Sequence, residues 1–305
     1  MRVHETVGPR TSRLAEVDPP VPGRGEVLVR SLALGVCASE RGAWGTHDGA
    51  ELLRLGHEVA GEVVALGPDV YGWSVGERVT GFAHPAFAEQ VVMSTADLVL
   101  VPSNVPTWAA LGEPLACIVE AVERSGVGPG MRVAVVGLGF MGLGALQVAL
   151  ALGADEVVGF DVAPAKRALA ERLGAAATHD ARLVPDAARA TFDVVVEFTG
   201  TAPGLALAGD LTGRHGTLCV GGYHHDGPRE LDVELWYRGV TIVNGFSPDR
   251  DRQRKALGRG MRMMADRQVT FEPLVTHRLP FEDLDAAFHL FEERPEGFVK
   301  AVLEP

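Results

Sequence analysis

The run Arg132-Val133-Ala134-Val135-Val136, followed at once by Gly137-Leu138-Gly139-Phe140-Met141-Gly142, narrows what this chain can fold into more than any other feature. An apolar strand that breaks into G-x-G-x-x-G and reopens as a helix is the fingerprint of a dinucleotide-binding βαβ unit. The three glycines serve a tight turn, close approach of backbone to a pyrophosphate, and close helix–strand packing, in that order. The helix N-terminus adds unpaired N–H groups and a partial positive charge for the phosphates. Asp161 closes the next strand roughly 20 residues on, where a carboxylate bonds the hydroxyls of an adenosine ribose. It also repels a 2′-phosphate, so NAD is expected over NADP. Phe140 and Met141 complete the turn, and Lys166 is placed to lie over the adenosine. Thr199, Gly222 and Asn244, near the ends of three later strands, complete the expected cofactor contacts.

The surroundings of the fingerprint extend the pattern. Strands are predicted at 156–161, 192–200, 215–222 and 240–245, with helices at 142–154 (read as amphipathic) and 164–175. Strands alternating with helices imply a parallel sheet wound on both faces, an α/β architecture. Residues 1–100 read differently. Short Val- and Leu-rich runs at 26–36, 57–67 and 77–82 are separated by turn pairs such as Pro22-Gly23 and Gly67-Pro68, which predicts a β-rich region. A helix is expected up to Gly126, a capped helix at 279–294 and a last short strand in GFVKAVLEP. At 305 residues, two domains are expected.

Composition closes off other classes. Lys and Arg total 28 against 40 Asp and Glu, a net charge of −12, which argues against nucleic acid or an anionic membrane surface as partner. Only Cys37, Cys117 and Cys219 occur, too few for a disulfide framework. The opening MRVHETVGPR has no apolar signal region and no apolar run reaches membrane-spanning length. A cytoplasmic protein is expected.

A second group of residues carries metal-ligand chemistry. Cys37 sits in GVCASE after a strand, His57 and Glu58 follow in GHE, and GEPLAC supplies Glu113. Thiolate, imidazole and carboxylate are the donors zinc prefers, and a catalytic site keeps one position open. Taken alone these residues decide nothing. A cysteine after a strand is commonly a small buried hydrophobe, and a His-Glu pair beside a strand commonly lies on the surface.

In order along the chain, GVCASE, GHEVAGEVVALGPDV, VGERVTGF, GEPLAC and VAVVGLGFMGLGALQVALALGA resemble the zinc-dependent medium-chain dehydrogenase/reductase family, nearly end to end. The resemblance implies a GroES-like β-rich catalytic domain at 1–112 and 246–305, interrupted by a Rossmann domain at 113–245. It implies Cys37 and His57 as zinc ligands with Glu58 and Glu113 as acidic neighbours or ligands, a pair similar to that of the polyol and sugar branch. Ser39 takes the hydroxyl position of the proton path, and Ser39, Glu58 and Glu113 are the implied catalytic residues. Glu40, where an aspartate is usual, is placed to hydrogen-bond a ligating histidine. Gly42 stands where relatives often carry a histidine, with His47 as a substitute. TGFAHPAFAEQV carries none of the four cysteines of the family's structural-zinc lobe, so one catalytic zinc is expected and no structural one.

The implied reaction is hydride transfer between NAD and a secondary alcohol or ketone, with a polyol, sugar or cyclitol as substrate. Tyr223, His224, His225 and Asp226 offer hydrogen-bonding groups to such a ligand, and Trp44, Trp236 and Asn244 could form walls; a solvated polar turn accounts for the same loop equally well. His84 and His277 are read as structural. Two rivals stand beside this reading: a zinc-free quinone or enoyl reductase, and a non-catalytic nucleotide-binding protein. A homodimer or homotetramer through the edge strand VTIVNGF is expected at family level.

Overall fold

Two compact units make up the chain, one of Met1–Pro114 with Phe271–Pro305 and one of Leu115–Thr270. The computed structural model describes residues 1–224 and 227–305. The first unit opens with β1 (Arg2–Gly8), β2 (Thr11–Glu16), β3 (Glu26–Gly35) and the short α1 (Arg41–Thr46). It continues through β4 (Glu58–Leu66), β5 (Arg78–Phe82), β6 (Gln90–Ser94) and β7 (Leu98–Leu100), and α2 (Gly112–Arg124) carries the chain into the second unit. There β8 (Arg132–Val136), α3 (Phe140–Ala151), β9 (Glu156–Phe160), α4 (Pro164–Arg172) and β10 (Ala177–His179) form one half. The other half is β11 (Phe192–Glu197), α5 (Ala202–Leu211), β12 (Thr212–Val220), α6 (Glu234–Tyr237), β13 (Thr241–Asn244) and α7 (Arg250–Ala265). The chain then returns to the first unit for β14 (Val275–Pro280), α8 (Leu284–Glu293) and β15 (Lys300–Glu304).

The second unit is the doubly wound sheet that strand–helix alternation predicts. Its order is β10-β9-β8-β11-β12-β13, every pair parallel. The winding reverses between β8 and β11, which opens a crevice at their carboxyl ends. Register fixes what lines it. Val136 pairs with Phe160 and Glu197, Glu197 with Val220, and Val220 with Asn244, so these residues form one row across the sheet. Gly137, Asp161, Thr199 and Gly222 therefore all emerge from the same edge. The helix after the glycines differs from expectation: α3 is buried on nearly every side, from Gly142 to Ala149, and is not amphipathic. A helix apolar all round is one enclosed by its surroundings.

The boundary expected at 245/246 falls at 270/271 instead. Helix α7 is the reason. Arg252 Nε donates to Glu120 Oε1 at 2.6 Å and Arg259 Nε to Glu123 Oε1 at 2.5 Å, tying α7 to α2. Gly260 lies so close to Leu115 that a Cβ would stand 2.6 Å from its Cγ.

In the first unit the main sheet runs β14-β15-β3-β4-β5-β7, with β6 also on β3, and β1 pairs with β2. Its core of Val27, Leu34, Val59, Val79, Phe288 and Leu303 takes the apolar face of each strand. Trp44 belongs to that core and is not a substrate wall. It is fully buried, its ring stacks on Phe288 at 4.8 Å, and its Nε1 donates to Asp285 at 2.8 Å.

Candidate active site

Antiparallel register assembles the metal-type residues. Gly35, at the end of β3, pairs with Glu58 at the start of β4, and with Val302 on β15. Cys37 just past β3 and His57 just before β4 are thereby brought together at one end of the sheet. The donor atoms of Cys37, His57 and Glu58 all lie within 4.8 Å of one another. Gly35 has to be glycine for this: a Cβ there would stand 2.0 Å from Glu58 Oε2.

Neighbouring groups orient the three donors. Glu40 is buried, and its Oε1 accepts the Gly56 N–H at 2.5 Å and lies 3.0 Å from His57 Nδ1. A carboxylate only accepts, so His57 donates from Nδ1 and its Nε2 is turned to the donor group. Ser39 donates its hydroxyl to Cys37 Sγ at 3.2 Å. Burial works against protonation of His57, but hydrogen bonds to Cys37 and Glu40 and their charges push it up to about 12.

Glu58 and Lys300 form a buried pair that the sequence reading did not foresee. They are 1% and 3% exposed, and the Lys300 ammonium lies 2.7 Å from both carboxylate oxygens. Burial disfavours the charged lysine, yet Glu58, Cys37 and Glu113 together hold it above its ordinary range. The geometry makes a hydrogen bond only to Oε1; Oε2 is buried and accepts none. A buried carboxylate oxygen left without a hydrogen bond, beside a thiol and an imidazole, fits a zinc ligand set. Glu113, on the first turn of α2, stands outside the close group of three and reaches it as a field acting on Lys300.

The glycine fingerprint fits a dinucleotide. Gly137 has φ +92°, a left-handed conformation open to glycine, and a Cβ on Gly142 would stand 1.8 Å from the Gly137 carbonyl. Gly139 caps α3 and a Cβ there would meet only open space, the cradle a phosphate needs. Phe140 and Met141 form the first turn of α3. Asp161 accepts N–H groups of Leu138 at 2.7 Å and Ala163 at 2.8 Å, which sets it beside the glycine turn. Lys166 lies in the first turn of α4. Thr199 packs on Gly137, Gly222 lies against Gly200, and Asn244 ends β13 with its Oδ1 accepting the Phe246 N–H at 2.9 Å.

The remaining candidates divide. His224 is held in the second unit, with Nε2 3.1 Å from Glu197 Oε2, while Tyr223 and Trp236 are exposed. His225 and Asp226 lie outside the described residues. His47 bonds the Glu51 carbonyl, His84 the Gly56 carbonyl and His277 the Thr276 hydroxyl. Lys300 and Glu197 are absent from the sequence expectations, yet each adjoins an unbroken apolar run, Ala301–Leu303 and Val194–Val196 respectively.

Comparison with known proteins finds two family domains along the chain. Residues 23–103 match the alcohol dehydrogenase GroES-like domain and residues 141–259 the zinc-binding dehydrogenase domain. The chain is similar to L-galactonate-5-dehydrogenase of Escherichia coli K12, 28% identical over 321 residues that cover 93% of each chain. It is likewise similar to the sorbitol dehydrogenase of Rattus norvegicus, 28% identical over 330 residues covering 92% of this chain and 90% of that one. Among solved structures, an Escherichia coli oxidoreductase/dehydrogenase of unknown specificity superposes with a TM-score of 0.90 at 24% identity, covering 99% of this chain and 98% of that one. Among the described residues, no helix is long and apolar enough to cross a membrane.

Proposed function

The chain belongs to the zinc-dependent medium-chain dehydrogenase/reductase family, and from that premise we propose that it transfers a hydride between NAD and a secondary alcohol or ketone of the polyol, sugar or cyclitol class. One observation carries the reading: Cys37, His57 and Glu58 converge in a chain that also carries the Gly137–Gly142 turn and Asp161. The likeness to L-galactonate and sorbitol dehydrogenases supports the substrate class.

Bound zinc would supply Lewis acidity at an alcohol oxygen, and bound NAD the hydride acceptor. Cys37 Sγ, His57 Nε2 and Glu58 Oε2 would hold the ion, with Glu113 as a second carboxylate nearby. Glu40 keeps His57 in the tautomer that leaves Nε2 for coordination. Ser39 Oγ, bonded to Cys37 Sγ, would carry the proton released from the alcohol. Gly137, Gly139 and Gly142 admit the pyrophosphate, and Asp161 takes the adenosine ribose, which favours NAD over NADP. With three cysteines in the chain, a second four-cysteine zinc has no ligands, so one catalytic zinc is proposed. A cytoplasmic homodimer or homotetramer through β13 completes the reading.

The test measures zinc per chain on protein purified without chelator, and NAD and NADP reduction on the same sample over polyols, aldoses, sugar acids, cyclitols and simple alcohols. Zinc near one per chain, NAD-linked oxidation of a polyhydroxylated substrate, and loss of both zinc and turnover in Cys37→Ala are expected. Turnover retained without zinc would place the chain with the quinone or enoyl reductases.

A further inference from the structure

Glu197 closes β11 with no exposed surface, a carboxylate the proposed hydride chemistry does not use. Its Oε1 accepts the N–H groups of Thr199 at 2.5 Å and Gly200 at 2.8 Å, together with the Thr199 hydroxyl. Its carbonyl accepts those of Gly221 at 2.9 Å and Gly222 at 2.8 Å. Its Oε2 lies 3.1 Å from His224 Nε2, and His224 Nδ1 lies 3.0 Å from Arg229 Nε. One residue therefore ties the turn after β11 to the loop after β12. The same turn braces the fingerprint, because a Cβ on Gly137 would stand 2.7 Å from Thr199 Cγ2.

Donor and acceptor arithmetic leaves this chain a single arrangement. A guanidinium only donates and a carboxylate only accepts. His224 must therefore accept from Arg229 at Nδ1 and donate to Glu197 from Nε2. A buried carboxylate is costly unless fully hydrogen-bonded, and here every donor it recruits belongs to one of the two loops.

The position of those loops says what the network serves. A doubly wound sheet binds one mononucleotide on each half, and Asp161 on the β8–β10 half marks the adenosine side. The β11–β13 half, and the loops following β11 and β12, then face the nicotinamide mononucleotide. We propose that Glu197, acting through His224 and Arg229, is a positioning residue for the nicotinamide half of the dinucleotide. It holds the 198–201 turn and the 221–224 segment in the one arrangement that receives the nicotinamide riboside, without itself touching the cofactor. This rests on the dinucleotide reading above.

Glu197→Gln tests it by charge alone. The amide can still accept from Thr199 and Gly200, but its NH₂ then faces the His224 Nε2–H. Reversing the tautomer only moves the donor–donor conflict to Arg229. Calorimetric titration of the full chain with NADH and, separately, with AMP reads the two halves apart. In Glu197→Gln and His224→Phe, NADH should bind about tenfold or more weakly while AMP changes by less than about twofold. His224→Gln, whose amide can donate to Glu197 and accept from Arg229, should stay within about threefold of the parent for NADH. Unchanged NADH affinity in the first two variants, equal losses for NADH and AMP, or no rescue by His224→Gln would overturn the proposal. A parent chain that binds neither ligand would refute the dinucleotide reading instead. Should Glu197→Gln fail to fold, the two His224 variants decide the matter.

Discussion

Lys300→Met isolates the electrostatics of the candidate zinc site. Lys300 and Glu58 are both almost fully buried, with the ammonium 2.7 Å from the carboxylate. Removing one partner of such a pair leaves the Glu58 carboxylate without its ammonium in a low-dielectric surround, which costs about 3–5 kcal/mol. In a chain of this size each kcal/mol moves the melting temperature by roughly 1.6 °C, so the chelator-treated variant should melt about 5–8 °C below the chelator-treated parent. Zinc should then act in two ways. A divalent cation gives Glu58 a new partner, so the deficit shrinks in zinc-loaded protein. Zinc should also bind the variant about tenfold or more tightly, because a like charge has left the site. Differential scanning calorimetry with and without chelator, and zinc competition against a chromophoric chelator, measure the two effects. A chelated variant that melts with the parent would show that the buried pair contributes nothing. A fall in zinc affinity would mean that Lys300 holds the carboxylate for the metal instead of competing for it.

Three further outcomes follow from named contacts. Glu40→Gln removes the carboxylate that fixes His57, and zinc affinity should fall about 10- to 100-fold with little change in NADH affinity; equal zinc affinity in titration would refute the orienting role. Asp161→Ser should raise kcat/KM with NADP and lower it with NAD, reversing or abolishing the preference, and an unchanged NAD-to-NADP ratio would refute the ribose assignment. Burial holds the His4 imidazole below its ordinary pKa even though its Nε2 lies 2.7 Å from the Phe281 carbonyl. The unfolded chain therefore takes up that proton first, and stability should be lost as pH falls below about 6.5. His4→Gln should flatten the loss of melting temperature between pH 7 and pH 5, and an identical slope in parent and variant would exclude His4 as its source.

Local signals carried the reading where chemistry is local. The fingerprint glycines, Asp161 and their strand are neighbours in sequence, and their spacing alone places them on one turn. The metal-type residues are different. Their convergence depends on Gly35 pairing with Glu58, a register set by the whole β3–β4 ladder and invisible in either segment by itself. Family resemblance supplied what local pattern did not. Glu113 shows the limit of that route: it is spaced as expected along the chain, yet the helix start it occupies leaves it outside the close group. The domain return was misplaced for a related reason. Helix α7 carries no glycine motif or site residue to mark its unit, and the contacts that assign it, Arg252 and Arg259 on the carboxylates of α2, join segments more than a hundred residues apart.

The two missed residues follow one rule. Lys300 stands in FVKAVL and Glu197 at the end of VVVE, each a single charge in a run whose other members are buried. A charge that the pleat turns inward at such a position must be paired, because burial of an unpaired charge is too costly to persist. The sequence therefore already demands a counterpart for each, even though it cannot say which residue answers. Lys300 is answered by Glu58, which binds it to the proposed metal centre, and Glu197 by His224 and the backbone of two loops, which binds it to the proposed cofactor crevice. Strand charges that turn outward, as Arg30 and Asp193 do, say nothing of this kind. Lys300 and Glu197, both buried, point to chemistry because each is held by partners at a proposed functional segment.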